Sequence, residues 1–243
     1  IMTGSPGPSA ADAVVPFEDT TGGLEDSLGE VLVERAPAPG AHIRRRGEDA
    51  VVGDEIVPAG IRLGPLQLGA IAAAGVGEAV VAAAPRVAIV STGSELAGPV
   101  ALGPARPEPL PRGMIPESNG VLLAGLVAEA GADVVLRERV VDDGAALLAV
   151  LARAAEAGAD VVVMSGGVSA GAYEVVRQTL GGTMDFAKVA MQPGKPQGFG
   201  RAEDGTLLFG LPGNPVSVAV SFETFVRPAL LAMQGRADLR RPI

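Results

Sequence analysis

The second half of the chain alternates short, unbroken apolar runs with longer stretches of helical periodicity. Residues 87–90 (Val-Ala-Ile-Val) and 160–164 (Asp-Val-Val-Val-Met) have the continuous apolar character of strands buried on both faces. A helix over 121–130 follows Ser118, a candidate cap, and Gly131 closes it. A strand at 134–141 leads to Asp142 or Asp143, either of which suits the cap of a second helix running to Ala157, with Gly158 as its stop. Beyond these the pattern predicts a helix at 173–180, strands near 186–191 and 207–209, and a long final helix over 216–233. Such alternation predicts an α/β fold with a mostly parallel sheet covered by helices on both faces.

The first half is different. Residues 1–36 lack helical periodicity, and 12–18 and 29–35 read as short strands joined by a turn-rich hairpin loop at 19–27. A Pro/Gly linker at 37–40 precedes a charged stretch at 43–49 (Ile-Arg-Arg-Arg-Gly-Glu-Asp). A turn at 58–60 (Pro-Ala-Gly) and a helix over 64–74, ended by Gly75, complete a small α+β module spanning 37–84. Residues 99–116 are proline-rich and read as an exposed loop, and no internal repeat is visible.

Composition narrows the chemistry. The 243 residues contain no cysteine and a single histidine, His42, most simply a bystander. Disulfides, thiolate nucleophiles and sulfur metal ligands are therefore excluded, and the single histidine argues against a His-rich zinc site and a Ser–His relay. What remains is carboxylates, hydroxyls, Lys/Arg and backbone amides, which suit oxygen-liganded magnesium and phosphate-like anions. A net charge of −9 argues against nucleic-acid binding through a bulk basic field, so local groups must hold any anionic ligand. Of nineteen basic residues only Lys188 and Lys195 are lysines, and they fall within eight positions of each other. No unbroken apolar run reaches the length of a membrane span and no cleavable leader is visible, so the chain reads as soluble. It begins at Ile1 rather than Met, and the expectation is that further residues precede it.

Three loops follow predicted strands, where such sheets bind ligands. They are residues 91–96 (Ser-Thr-Gly-Ser-Glu-Leu), 165–171 (Ser-Gly-Gly-Val-Ser-Ala-Gly) with Glu174 beyond, and 211–217 (Leu-Pro-Gly-Asn-Pro-Val-Ser). Glycine permits close approach of backbone to an anion, and amides at a helix start favour it by about 0.3–1 kcal/mol. Ser165 and Ser169 add hydroxyls, and residues 191–196 (Met-Gln-Pro-Gly-Lys-Pro) present Lys195 on a proline-flanked turn. Each feature also has a plainer reading. A glycine-rich turn is commonly just a turn, and residues 211–215 suit a rigid connector. The charges at 44–46 suit a solvated surface, and Asp49, Glu95, Asp142 and Glu174 suit surface or capping roles. Their convergence at one predicted sheet edge is what favours a site.

Taken together these segments resemble the MoeA/gephyrin E-domain family of molybdopterin molybdenumtransferases. The resemblance runs in order through 1–4 (Ile-Met-Thr-Gly), 44–49, 58–60, 91–96, 118–119 (Ser-Asn), 141–143 (Val-Asp-Asp), 165–171, 193–196 (Pro-Gly-Lys-Pro) and 211–215. It implies a three-layer α/β/α molybdopterin-binding domain over 85–236. Part of a β-rich domain would occupy 1–36 and an elongated linking module 37–84, with the start of a C-terminal β domain at 237–243. It also implies a cytoplasmic homodimeric enzyme that inserts molybdate into adenylylated molybdopterin with magnesium, releasing AMP. The enzyme that adenylylates molybdopterin in the preceding step is an implied partner.

By the same resemblance Glu95, Asp142 and Glu174 place magnesium or activate water, and Lys188 and Lys195 balance phosphate or molybdate charge. Thr92, Gly93, Ser165, Gly166, Gly167, Ser169, Gly171, Pro193, Gly194, Pro212, Gly213, Asn214, Pro215 and Ser217 bind pterin, phosphate or molybdate. Thr3, Arg44 and Asp49 belong to the binding site too, Thr3 and Arg44 acting across the dimer. Ser94 stands where the family usually carries Asp, Glu174 where Asp is common, and Gln192 where Lys is common. Two alternatives share the sheet domain: a molybdopterin adenylyltransferase, against which the 44–49 and 58–60 segments argue, and a molybdopterin-binding scaffold without turnover.

Overall fold

A computed structural model describes residues 1–21, 31–98, 109–169, 171 and 174–239. The chain divides into two compact units, one comprising Ile1–Pro58 and Pro65–Gly77, the other Ala59–Gly64 and Glu78–Ile243.

In the first unit the expected hairpin is reduced to a single antiparallel bridge between Thr20 and Val33. Thr21 N donates to Leu32 O at 2.9 Å and Glu34 N to Asp19 O at 2.8 Å, flanking that bridge. The run at 12–18 is not a strand: Val14 N donates to Ala41 O, Gly40 N to Asp12 O, and Phe17–Asp19 close a short 3-10 turn after Pro16. A proline without an N–H, with no third strand beside it among the described residues, leaves an isolated two-stranded ribbon marginal. The tip of the expected hairpin lies outside the described residues. Helix α1 (Pro65–Ala73) forms as expected and ends at Gly75, whose φ of +79° a side chain would strain.

The second unit carries the sheet. Its elements are β1 (Arg86–Thr92), β2 (Leu96–Ala97), β3 (Ile115–Pro116), α2 (Asn119–Glu129), β4 (Asp133–Val140), α3 (Gly144–Glu156), β5 (Val161–Ser165), α4 (Val175–Leu180), β6 (Met184–Lys188), β7 (Pro196–Arg201), β8 (Leu207–Leu211), α5 (Pro215–Ser221) and α6 (Arg227–Met233). Six strands pair in the order β4-β1-β5-β8-β7-β6. The first four are mutually parallel, and β7 is antiparallel to both neighbours. Strand β7 has no counterpart in the hydrophobic pattern. Its Gly198 and Gly200 carry no apolar signal, yet a Cβ at Gly198 would stand 2.8 Å from the Phe186 ring and one at Gly200 2.4 Å from Thr183 O. Close neighbours, not weak strand character, account for glycine there.

Alternation along the central strands buries both faces. Ala88, Val90, Val162 and Met164 join Leu147, Val150 and Val176 of α3 and α4 in one core. Val87, Ile89, Val161 and Val163 join Leu123, Val218, Phe222 and Leu230 in the other. The result is three layers, α/β/α. Edge strand β4 is tied to α3 by a two-pronged contact from Arg153 to Glu138, at 2.9 and 2.5 Å. That contact holds the Glu138 carboxyl below its ordinary range.

The final helix is one rod from Pro215 to Met233, interrupted by a π turn at Phe222–Val226. Pro228 cannot donate to the carbonyl four residues back, and the π turn just before it absorbs the mismatch. By length and mean hydropathy (19 residues, 1.4) this rod suits a membrane span. Instead Val218, Phe222, Val226 and Leu230, spaced by four, form its fully buried stripe against the sheet. Phe222→Ala is therefore expected to cost about 3–5 kcal/mol of stability, read from the denaturant midpoint. A shift below about 1 kcal/mol would show that the stripe does not hold the helix to the sheet.

Candidate functional site

The central strands end level with one another. Ser91 pairs with Ser165 and Ser165 with Leu211, so the turns after β1, β5 and β8 leave the sheet side by side. Strand β6 runs parallel to β8 by way of the antiparallel β7, which brings the end of β6 and the start of β7 to this same rim. A cleft of about 390 Å³ opens there. Thr92, Gly93 and Glu95 line it after β1, Gly166, Gly167 and Ser169 after β5, and Pro212, Gly213 and Pro215 after β8. Asp142, Glu174, Ser118, Asn119 and Pro196 complete the wall, with Leu96 and Ile115 as apolar surface.

The glycines are required by the crowding of these turns. Gly166 has φ +91°, and a Cβ there would stand 2.6 Å from Thr92 O. Gly167 has φ +66°, and its Cβ would meet Val176 at 3.0 Å. Gly166 N donates to Leu211 O at 3.0 Å, and Thr92 Oγ1 to Ser165 O at 3.3 Å, stitching the three turns together.

Glu95, Asp142 and Glu174 all face the cleft, and two of them, Asp142 and Glu174, are already engaged. Ser94 N donates to Asp142 Oδ2 at 2.9 Å, and Asp142 N donates to Ser94 Oγ at 3.1 Å. Ser94 thus grips Asp142 from both sides. Glu174 accepts from Ser169 N at 2.9 Å and, through its other oxygen, from the Ser169 hydroxyl, which closes the glycine loop. Among the described residues no three carboxylates or imidazoles gather closely enough to hold a metal on their own. The cap of α3 is Asp143, whose Oδ1 accepts from Ala146 N at 2.7 Å, so Asp142 is left to the rim.

Two local expectations change. Ser118 makes no capping bond; Glu117 caps α2 instead, accepting from Gly120 N at 2.6 Å and from Ser91 Oγ at 2.9 Å while buried. The start of α5 does not offer its first amides to a ligand. Pro215 has none, and Asn214 Oδ1 accepts from Val216 N at 3.0 Å and Ser217 N at 3.3 Å. The turn at 211–215 therefore reaches the cleft through Pro212, Gly213 and Pro215 rather than through helix-start amides.

Lys188 ends β6 and pairs with Pro196, and Lys195 stands immediately before β7; both are exposed at the rim rather than on the cleft wall. Pro193 and Gly194 shape the turn between them, and Ser165 and Ser217 are buried. Gly171 lies beside Glu174, where a Cβ would stand 2.7 Å from Oε1. Thr3, Arg44 and Asp49 belong to the other unit, where Arg44 pairs with Asp49 and both are exposed. Sequence reasoning missed Asn119 as a site residue and Glu117 as the buried group that joins β1 to the start of α2. Asn119 lines the cleft, and its Nδ2 donates to Gly213 O at 2.8 Å, tying α2 to the turn after β8. The signal was present as polar residues packed directly before an apolar helical run.

A parallel α/β sheet with glycine- and proline-shaped turns around one polar cleft defines a domain built to hold a small polar ligand at its carboxyl rim. Residues 88–232 match the family model described as a probable molybdopterin binding domain, and residues 1–75 match the MoeA N-terminal region, domains I and II. The chain belongs to the MoeA family of molybdopterin-binding proteins.

Molybdopterin molybdenumtransferase 2 of Mycobacterium tuberculosis is 46% identical over all of this chain and 58% of its own length. The molybdopterin molybdenumtransferase of Haemophilus influenzae is 35% identical over 100% and 57%. A crystal structure of the Pyrococcus horikoshii molybdopterin biosynthesis MoeA protein superposes with a TM-score of 0.71 at 32% identity, covering 94% of this chain and 55% of that one. The chain thus spans somewhat over half the length of these relatives. Gly166→Ala, which must part the turns after β1 and β5, is expected to cost about 1–3 kcal/mol more stability than Gly182→Ala, since a Cβ at Gly182 meets nothing within 4 Å. Equal melting temperatures for the two variants would contradict the close stitching of those turns.

Proposed function

We propose that the protein transfers molybdate onto adenylylated molybdopterin, releasing AMP. The observation that carries this reading is the convergence of the three strand-end turns on one cleft in a chain of the MoeA family. The relatives named as molybdenumtransferases favour it over the adenylyltransferase and scaffold readings.

Electrostatics sharpen the reading. Glu95, Asp142 and Glu174 surround the cleft, so an anionic pterin nucleotide meets like charge there. A divalent magnesium ion fits this donor set. Magnesium is commonly held by one or two carboxylates plus substrate phosphates rather than by an all-protein cage. Glu95 and Asp142 are the residues that would hold it, since both oxygens of Glu174 are engaged by Ser169. The ion would supply charge neutralisation between carboxylate and phosphate. Lys188 and Lys195 bring positive charge to the side of the rim where β6 ends and β7 begins and would steer phosphate and molybdate. The loop at 166–169 offers close backbone approach to phosphate, and Ser169 on the cleft wall and the buried Ser217 would serve the oxyanion.

The same reading makes the protein a cytoplasmic homodimer, with Thr3 and Arg44 completing the partner's site and Asp49 a further binding residue. It receives its substrate from the adenylylating enzyme. Residues 1–36, 37–84 and 85–236 then act as β-rich, linking and molybdopterin-binding parts, and 237–243 lead into a further β domain.

Incubation with adenylylated molybdopterin, magnesium and molybdate tests the proposal: AMP release should require molybdate. ATP-driven adenylylation, or tight binding with no AMP released, would overturn it in favour of the other two readings. Within this assay Glu95→Gln should raise the magnesium concentration needed for half-maximal rate, and an unchanged titration would remove Glu95 from the ion's ligands. Lys195→Ala, at an exposed position, should weaken molybdate binding roughly five-fold, and unaltered binding would take Lys195 out of the site.

A further inference from the structure

The turn at 192–196 is held by a buried polar clamp. Gln197, nine-tenths buried at the start of β7, donates from Nε2 to Gly194 O at 2.7 Å and to Ser221 Oγ at 2.7 Å. Ser221 is fully buried near the end of α5. Gly194, with φ +102°, sits so close that a Cβ would lie 3.2 Å from Ser221 Oγ and 3.3 Å from Met191 Cε. On the outer side Val189 N donates to Lys195 O at 2.8 Å. The backbone at and beside Lys195 is thus fixed to Val189, the residue after β6, by one bond and to α5 by a relay of two.

A strand position buried between a sheet and a helix is normally filled by an apolar side chain, because a buried amide is tolerated only when its donors are satisfied. Both donors of Gln197 are spent on joining the turn to the helix. Ser217 lies one turn before Ser221 on the same face of α5. The clamp therefore fixes the turn that carries Lys195 relative to the helix that carries Ser217.

We propose that Gln197 and Ser221 are positioning residues for the oxyanion part of the site, setting the separation between Lys195 and Ser217. This rests on the reading above, in which those two residues serve molybdate. The clamp acts through Lys195, and its effect falls on the small oxyanion rather than on the nucleotide.

The test is calorimetric titration of molybdate and, separately, of AMP into the wild-type chain, Gln197→Met and Ser221→Ala. Gln197→Met keeps the packing volume and removes both donors. It is expected to weaken molybdate by about 3- to 5-fold, no more than the loss of Lys195 itself, and to leave AMP within two-fold. Ser221→Ala, which leaves the bond to Gly194 in place, should give a smaller loss with the same split. In a Lys195→Ala background Gln197→Met should add nothing further, because the two act on one contact. An unchanged molybdate affinity, or equal weakening of both ligands, would overturn the proposal and leave Gln197 as packing. If Gln197→Met does not fold, the split in Ser221→Ala decides alone. A wild-type chain that binds AMP but no molybdate would overturn the molybdate reading and this inference with it. Molybdate loss in Gln197→Met with none in Lys195→Ala would contradict action through Lys195 while leaving the cleft's function intact.

Discussion

The register of three parallel strands governs everything at the rim. Because Ser91, Ser165 and Leu211 lie level across β1, β5 and β8, three successive turns emerge within hydrogen-bonding distance of one another. That closeness leaves no room for side chains at Gly166 and Gly167, and it lets Gly166 N reach Leu211 O. A slip of one residue in any of the three strands would exchange its two buried faces and separate the turns. The two cores resist such a slip, since alternate residues of each strand are committed to opposite helix layers.

Polar groups reinforce this arrangement from behind. Glu117 joins β1 to the start of α2, Asn119 joins α2 to the turn after β8, and Ser94 with Asp142 joins the turn after β1 to the end of β4. Gln197 and Ser221 do the same for the lysine turn. Much of the side-chain chemistry expected to meet a ligand is spent on holding the cleft open. The helix-start amides of α5 are likewise spent on Asn214. What faces the cleft is backbone, a few hydroxyls and carboxylates, a set that favours an anion only when cations accompany it.

The sheet was legible because buried parallel strands write continuous apolar runs, and α2 and α3 were legible because Gly131 and Gly158 punctuate them. Strand β7 was not, since Gly198 and Gly200 answer to Phe186 and Thr183 across space rather than to any local pattern. The amino-terminal run at 12–18 misled in the opposite sense: its short apolar stretch at 13–15 reads as a strand, but Pro16 and the partner at 40–41 make it a loop. Most expected residues of the strand-end turns do meet at one cleft. Glu117 and Asn119 stayed hidden because Ser118 between them read as the cap of the helix. Which of them also reaches across to Ser91 or Gly213 depends on pairings 26 and 94 residues away in sequence.

The central claim is that the carboxyl rim of the sheet is where the nucleotide end of the ligand sits. A crystal structure of the protein with AMP tests it most directly. The phosphate should lie against the 166–169 loop and the Pro212–Gly213 turn. A phosphate at the opposite ends of the strands instead, in the hollow beside Leu151, Thr183 and Thr206, would contradict it.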